Sequence, residues 1–244
     1  MLAFGLGFLA FACNKRRQEM NQSIASWLRH FVVIGCVPLA ALASLAGCAG
    51  HQKYATVTVG PSAIGPLKPG DLEAYGIAFI TPATVTGQEE DRPALALIFS
   101  QILEETRPTT HIVPLNETLS AISRAGASED YNRMVMKYRD LGLLDPATLA
   151  LVSNATGVRY IAQLQMANFQ QESQDRFSVL GLRMVQTKKA NIRLFLRIWN
   201  GQEGSIAWEG AQELYMAKET VTENAISFRD VVEVSARELI PKIP

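Results

Sequence analysis

Glu89-Glu90-Asp91, three adjacent carboxylates directly ahead of a helix-forming stretch, are the nearest this chain comes to an acid–base pair. Two carboxylates can share general-acid and general-base work when their surroundings push their pKa values apart. Adjacent acids before a helix more simply complement its positive end, and a solvated cap is the expectation here. Beyond residue 47 the only histidines are His51 and His111. One falls in a Gly- and Pro-rich stretch and the other opens a short strand beside prolines, so no pair has metal-ligand or base-and-nucleophile spacing. No Gly-x-Ser-x-Gly elbow and no phosphate-cradling Gly-x-x-x-x-Gly-Lys loop occurs. Serine with lysine, or a pair of carboxylates, stays open on composition without any residue being singled out. Lys188-Lys189 reads as a solvated hairpin tip. Trp199 and Trp208 flank a Gly-containing turn and are the candidate partner-contact residues, because tryptophan is enriched in binding hot spots; the plainer role for such a pair is to pack the sheet. No catalytic residue, no metal site and no bound cofactor is expected, and the chain is not read as an enzyme.

The three cysteines, Cys13, Cys36 and Cys48, carry more information. Residues 31–45 hold no charge, follow the basic Arg29 and His30, and end in Leu45-Ala46-Gly47-Cys48. That is the order of a secretory signal: basic region, apolar region, small residues at the cut. Pro38 and Gly35 interrupt the run, which is shorter than the ~20 apolar residues of a membrane-spanning helix. The four-residue end resembles the lipobox of bacterial lipoproteins. The resemblance implies cleavage before Cys48, a diacylglycerol thioether on its sulfur and an acyl chain such as palmitate on the new amine. With Ala49 rather than Asp next, the family's sorting rule implies the outer membrane, facing the periplasm. An uncleaved N-terminal anchor is the alternative. Met20 makes a natural start for such a signal, whereas Met1 opens a second apolar stretch, and its rival site, Ala10-Phe11-Ala12-Cys13, has a bulky Phe before the cut and no basic region ahead of it. The organisation expected is therefore an N-terminal extension from a mis-called start at 1–19, a signal peptide at 20–47, a lipidated flexible tether at 48–73 and a periplasmic α/β domain at 74–244.

The whole chain has 23 basic and 23 acidic residues among 244. Removing residues 1–47 takes away Lys15, Arg16, Arg17 and Arg29 against one acid, Glu19, so the remainder is mildly acidic, unlike a nucleic-acid binder. Cys13 and Cys36 leave with the signal and Cys48 is acylated, so neither a disulfide nor a free thiolate is left.

The tether is expected from its Gly, Pro, Thr and Ser, with a short edge strand through Ala55-Thr56-Val57-Thr58-Val59 as an option. A short buried strand at 76–80 ends at Thr81-Pro82. Pro93 then opens an amphipathic helix over 92–106, with Leu95, Ile98, Ile102 and Leu103 on one face. A strand at 111–115 leads to Asn116 as the N-cap of a helix ending near Gly126. Helices follow at 131–141, stopped by Gly142, and from Asp145-Pro146 to about Asn154, stopped by Gly157. After Gly157 the period becomes two. Strands are expected at 158–166, 177–185, 191–199 and, beyond the turn Asn200-Gly201-Gln202-Glu203-Gly204, at 205–215. In the third, Ile192, Leu194, Leu196 and Ile198 alternate with Arg193 and Arg197. A helix over 227–240 closes the chain, burying Phe228, Val231, Val232, Leu239 and Ile240.

This order resembles the curli-secretion lipoproteins and the related lipoprotein activators of bifunctional penicillin-binding proteins. The residues that carry it are the Ile77-Ala78-Phe79-Ile80 strand with Thr86-Gly87 after it, the helix leading to Thr156-Gly157-Val158-Arg159-Tyr160-Ile161, the strands Ile198-Trp199-Asn200 and Ile206-Ala207-Trp208-Glu209 around a turn, and the last helix. Ala162-Gln163 stand where the family has a glycine. The resemblance implies one α/β (α+β) domain with a mixed sheet packed by helices, like the anticodon-binding domain. It also implies a non-catalytic adaptor or activator that binds an envelope protein while anchored in the membrane by lipid. A homo-oligomeric secretion pore is the alternative, and a periplasmic hydrolase a distant third.

Overall fold

Two kinds of helix start place the layers on either side of a sheet. In the computed structural model, which describes residues 51–61, 66–84, 89–179, 182–220 and 225–244, α2 (Arg92–Thr106) begins with a first-turn proline. The last helix, α6 (Phe228–Leu239), begins with a capping box in which Ser227 and Asp230 exchange side-chain-to-backbone hydrogen bonds. These two helices pack on each other and on one face of the sheet. Between them and the sheet lie Leu95, Phe99, Ile102, Val231, Val232 and Leu239 against Leu164, Ile192, Leu194, Leu196, Ile198 and Leu214. The alternation expected along 191–199 is therefore the pattern of a strand with one sealed face.

The strands are β1 (His51–Pro61), β2 (Ile77–Phe79), β3 (Ala83–Thr84), β4 (Ile112–Val113), β5 (Tyr160–Val179), β6 (Leu182–Asn200) and β7 (Ser205–Thr220). They form a single sheet in the order β1-β7-β6-β5-β2-β4, with β3 beside β5. Pairing is parallel among β2, β4, β5 and β3 and antiparallel from β5 through β6 and β7 to β1. The mixed sheet packed by helices is the architecture the sequence leads one to expect. A short helix, α1 (Asp71–Tyr75), precedes β2, and three more, α3 (Leu115–Arg124), α4 (Ser128–Leu141) and α5 (Pro146–Thr156), occupy the second face at its base. There Ile122, Tyr131, Met134, Tyr138, Leu149 and Val152 close over Ile80, Ile161 and Trp199. Asp145 caps α5 by accepting from the Thr148 backbone at 2.9 Å, and Gly157 ends the helix in the left-handed region. Among the described residues no helix is long and apolar enough to cross a membrane.

Several expectations change. Much of the stretch expected as a tether is β1, which contains the optional edge strand at 55–59 and extends it at both ends, paired with β7 at every position from His51 opposite Lys218 to Pro61 opposite Trp208. Its threonines and valines are β-branched and suit a pleated edge; Gly and Pro accumulate only from Gly60 onward. The segment 177–185 is no separate strand, because Phe177 pairs with Val185 and Val179 with Leu182 across the end of one long hairpin. Lys188 and Lys189 consequently lie within β6, donating to Ser173 at 2.8 Å and Gln174 at 3.0 Å, and not at a tip. The α3 helix starts one residue before Asn116, with Pro114 as N-cap. Asp91 occupies the α2 N-cap without a side-chain cap bond. Thr86 and Gly87 lie outside the described residues.

Tyr160, where β5 enters the sheet, donates its hydroxyl to Asp71 of α1 at 3.0 Å. Burial, and then that bond to a carboxylate, push its pKa up to about 12. A raised folded-state pKa means the stabilisation is complete below the unfolded value near 10 and is lost as pH climbs through about 12. Thermal midpoints recorded across that window are expected to fall for the wild type and to fall less steeply for Tyr160→Phe. Identical slopes would remove Tyr160 from the alkaline limb.

Candidate functional site

After β2 the chain passes from Ile80 into Thr81-Pro82 and lies over the carboxyl ends of the parallel strands, the part of an open α/β sheet where clefts form. A cleft of about 400 Å³ opens there, lined by Ala83, Thr84, Tyr138, Arg139, Gln165 and Met166. Two of these residues, Tyr138 and Gln165, belong to a hydrogen-bonded chain to which four elements contribute. The Tyr138 hydroxyl, from α4, accepts from Arg197 Nη1 at 2.6 Å and donates to Gln165 Oε1 at 3.3 Å. Arg197, from β6, donates through Nε to Glu209 Oε1 of β7 at 2.9 Å. Burial raises the Tyr138 pKa, while the Arg197 charge opposes that rise. Burial works against the Arg197 charge, but Tyr138 and Glu209 outweigh it and hold its pKa above the ordinary arginine value. The cleft thus presents a neutral phenol held from behind by a fixed cation, a geometry for hydrogen bonding rather than proton transfer near neutral pH.

Deeper in, Gln163 is 2% exposed and its Oε1 has no protein partner. It borders a small cavity also lined by Ile80, Tyr138 and Leu144. Thr81 is fixed nearby: its backbone N–H donates to the Tyr131 hydroxyl at 2.8 Å. Arg92 donates to Thr84 Oγ1 at 3.0 Å, which ties the first turn of α2 to β3 at the cleft.

Beyond the cleft the same sheet face continues without a covering layer among the described residues. Paired rows run across it: Gln165, Phe195, Ala211 and Thr58; then Asn168, Arg193, Glu213 and Thr56; then Gln170, Asn191, Tyr215 and Tyr54. Arg193 meets Glu213 at 3.1 Å, and the Tyr54 and Tyr215 rings lie 6.3 Å apart. Two shallow depressions mark this face, about 240 Å³ beside Phe195 and about 150 Å³ beside Tyr215.

The candidates named from sequence lie elsewhere. Trp199 and Trp208 are 2% and 3% exposed. Trp199 belongs to the layer under α4 and α5, and Trp208 to the layer under α2 and α6. Neither ring reaches solvent, and both pack the sheet. Cys48 lies outside the described residues. Asp91 has a raised pKa from burial and from the neighbouring Glu90 charge. Among the described residues no three His, Cys, Asp or Glu side chains converge as metal ligands. Tyr138, Gln165, Phe195 and Tyr215 went unnamed in the sequence. Phe195 had left one signal, an aromatic ring between Arg193 and Arg197 on the polar side of an alternating strand.

Fold and site define a mixed α/β domain with one sealed and one open sheet face. No family model matches the chain, and no curated protein matches it. Among solved structures it is similar to the PelC dodecamer from Paraburkholderia phytofirmans in two crystal forms. Both share 11% identity at TM-score 0.37 and cover 79% of this chain and 95% or 94% of that one. It is also similar to lipoprotein GNA1162 from Neisseria meningitidis, at 11% identity and TM-score 0.36, over 66% of this chain and 94% of that one. Likeness at this level assigns neither activity nor partner.

Proposed function

We propose that this chain is a lipid-anchored, non-catalytic protein of the bacterial outer membrane, facing the periplasm, that works by binding another envelope component through the open face of its sheet. The observation that carries this reading is the contrast between the two faces. One is sealed by α2 and α6, while the other presents rings, amides and ion pairs to solvent beyond the reach of α4. The cleft supports it as well, since its phenol and guanidinium are bound to each other and neither is poised as a nucleophile or base. An acyl chain on Cys48 would stand three residues before His51, a reach of at most ~10 Å. It would therefore hold the domain close to the bilayer by the end of β1.

A pore subunit is the second reading, favoured by the 20 and 19 residues of β5 and β6, more than the 9–11 that cross a bilayer. A barrel wall, however, needs one apolar face. The far rows alternate Gln170, Glu172 and Gln174 on one side with Gln171 and Ser173 on the other, all exposed, so neither side suits lipid.

The test pairs acylation with capture. Wild-type cells should incorporate radiolabelled palmitate into a membrane-bound product, and Cys48→Ala should be unlabelled and released or mis-sorted. Continued labelling of that variant would sink the anchor. A photo-reactive side chain at position 195 should yield one foreign adduct that a probe at Arg229 on α6 does not. A ladder of self-adducts closing at a ring-sized species would instead establish the pore.

A further inference from the structure

We propose that the open sheet face binds a neutral glycan chain, its sugar rings stacking on Phe195 and on the Tyr54–Tyr215 pair; this rests on the reading of that face as the recognition surface.

The chemistry of the face selects this occupant. Charges are cancelled within the sheet: Arg197 pairs with Glu209, Arg193 with Glu213, and Lys189 stands opposite Glu172 in the register. A polyanion or polycation would find no net field to hold it. The rings do not merge into one apolar patch of the kind that anchors a protein interface. Phe195 lies four residues along β6 from the row of Tyr215 and Tyr54, which at 3.3–3.4 Å per residue is roughly 13 Å along the strand, with the row of Arg193 and Glu213 between. Separate ring platforms with polar groups between them suit a chain of rings that is apolar on its C–H faces and hydroxylated at its edges. The C–H face is attracted to the negative face of an aromatic ring. The side-chain amides of Gln170 and Asn191 each offer a donor and an acceptor, and that of Gln165 a donor, to hydroxyl or acetamido groups. The two depressions beside Phe195 and Tyr215 leave room next to each platform. Tyr54 is 65% exposed, more than cross-strand packing against Tyr215 requires.

Full-length protein in a non-glycosidic detergent would be titrated calorimetrically with chitohexaose, with cellohexaose and with a galacturonate hexamer of similar length. Binding of either neutral oligomer, with the acidic one at least about tenfold weaker, supports the proposal. Chitohexaose preference points to an N-acetylated wall-type strand and cellohexaose preference to a non-acetylated polysaccharide. Tyr54→Ala and Tyr215→Ala are each expected to weaken binding about tenfold, the loss of one stacked ring, with an unchanged thermal midpoint, and Phe195→Tyr to retain it. Absence of binding to both neutral oligomers, preference for the acidic one, or binding indifferent to both tyrosine variants would overturn it. If no glycan binds while position 195 still captures an envelope protein, the glycan inference falls and the open-face reading stands. If neither is observed, both fall.

Discussion

Trp208→Ala is expected to lower the stability of the domain by about 3–5 kcal/mol, the range for emptying a large buried aromatic site. Trp208 sits on β7 at the closed face, in the same layer as Leu239 and Ile240. Its ring lies over the backbone of Gly210, where a side chain would run into the Trp208 ring and Leu239. The glycine and the indole are thus two halves of one fit, and shrinking the larger half leaves a hole that a glycine cannot refill. Neither Trp199 nor Trp208 has a partner for its indole N–H, so the loss is packing and not hydrogen bonding. Trp208→Phe should accordingly retain most of the stability, and urea unfolding of the two variants separates the contributions. If the alanine variant unfolds at the wild-type midpoint, the ring is not part of the core.

Gly76→Ala is expected to cost several kcal/mol and to reduce the yield of folded protein. Gly76 links α1 to β2 with φ 69° and ψ 171°, a region essentially reserved for glycine and costing about 1–3 kcal/mol for any other residue. An added Cβ would also lie 2.7 Å from Val158 Cγ1 and 2.9 Å from the His111 carbonyl oxygen. That oxygen already accepts from Ile77 N–H at 2.9 Å, in register with the parallel β2–β4 pair. It has no freedom to withdraw. Shortening the other neighbour separates the causes. If Val158→Ala restored Gly76→Ala to wild-type stability, the penalty would be side-chain crowding alone; the expectation is a partial rescue, with the backbone term remaining. Equilibrium denaturation of the single and double variants is the measurement.

Legibility in this chain follows solvation. Helices α2, α5 and α6 could be read because each has a start signal and one apolar stripe, as Asp145-Pro146 and Ser227 illustrate. The alternation of Ile192 to Ile198 with Arg193 and Arg197 identified the middle of β6 because one side is sealed. Gln170 to Gln174 of β5 are exposed on both sides, so they show no period and conceal a strand that hydrogen bonds alone define. Only the middle of β1, Ala55 to Val59, was legible as an optional edge strand, and its neighbour β7 lies more than 140 residues further along the chain. The cleft was illegible for a different reason. Tyr138 and Arg197 stand 59 residues apart, and nothing local in either segment announces that they meet. The tryptophans were recognisable as a hairpin pair, but which layer each ring enters depends on helices distant in sequence.

The direction of β1 has a mechanical consequence. The strand runs antiparallel to β7, its first residue pairs with Lys218 towards the far end of β7, and Lys53 beside it is ion-paired to Glu238 of α6. A load entering the domain through residues before His51 pulls along the strand axis, while β7 is held in the core by Trp208 and Leu214 further along the ladder. The interstrand bonds are then strained together in shear instead of parting one after another like a zip. Tension on the chain ahead of His51 therefore meets the collective resistance of the whole β1–β7 ladder, whereas the same force applied at Pro61 would peel the edge open a bond at a time.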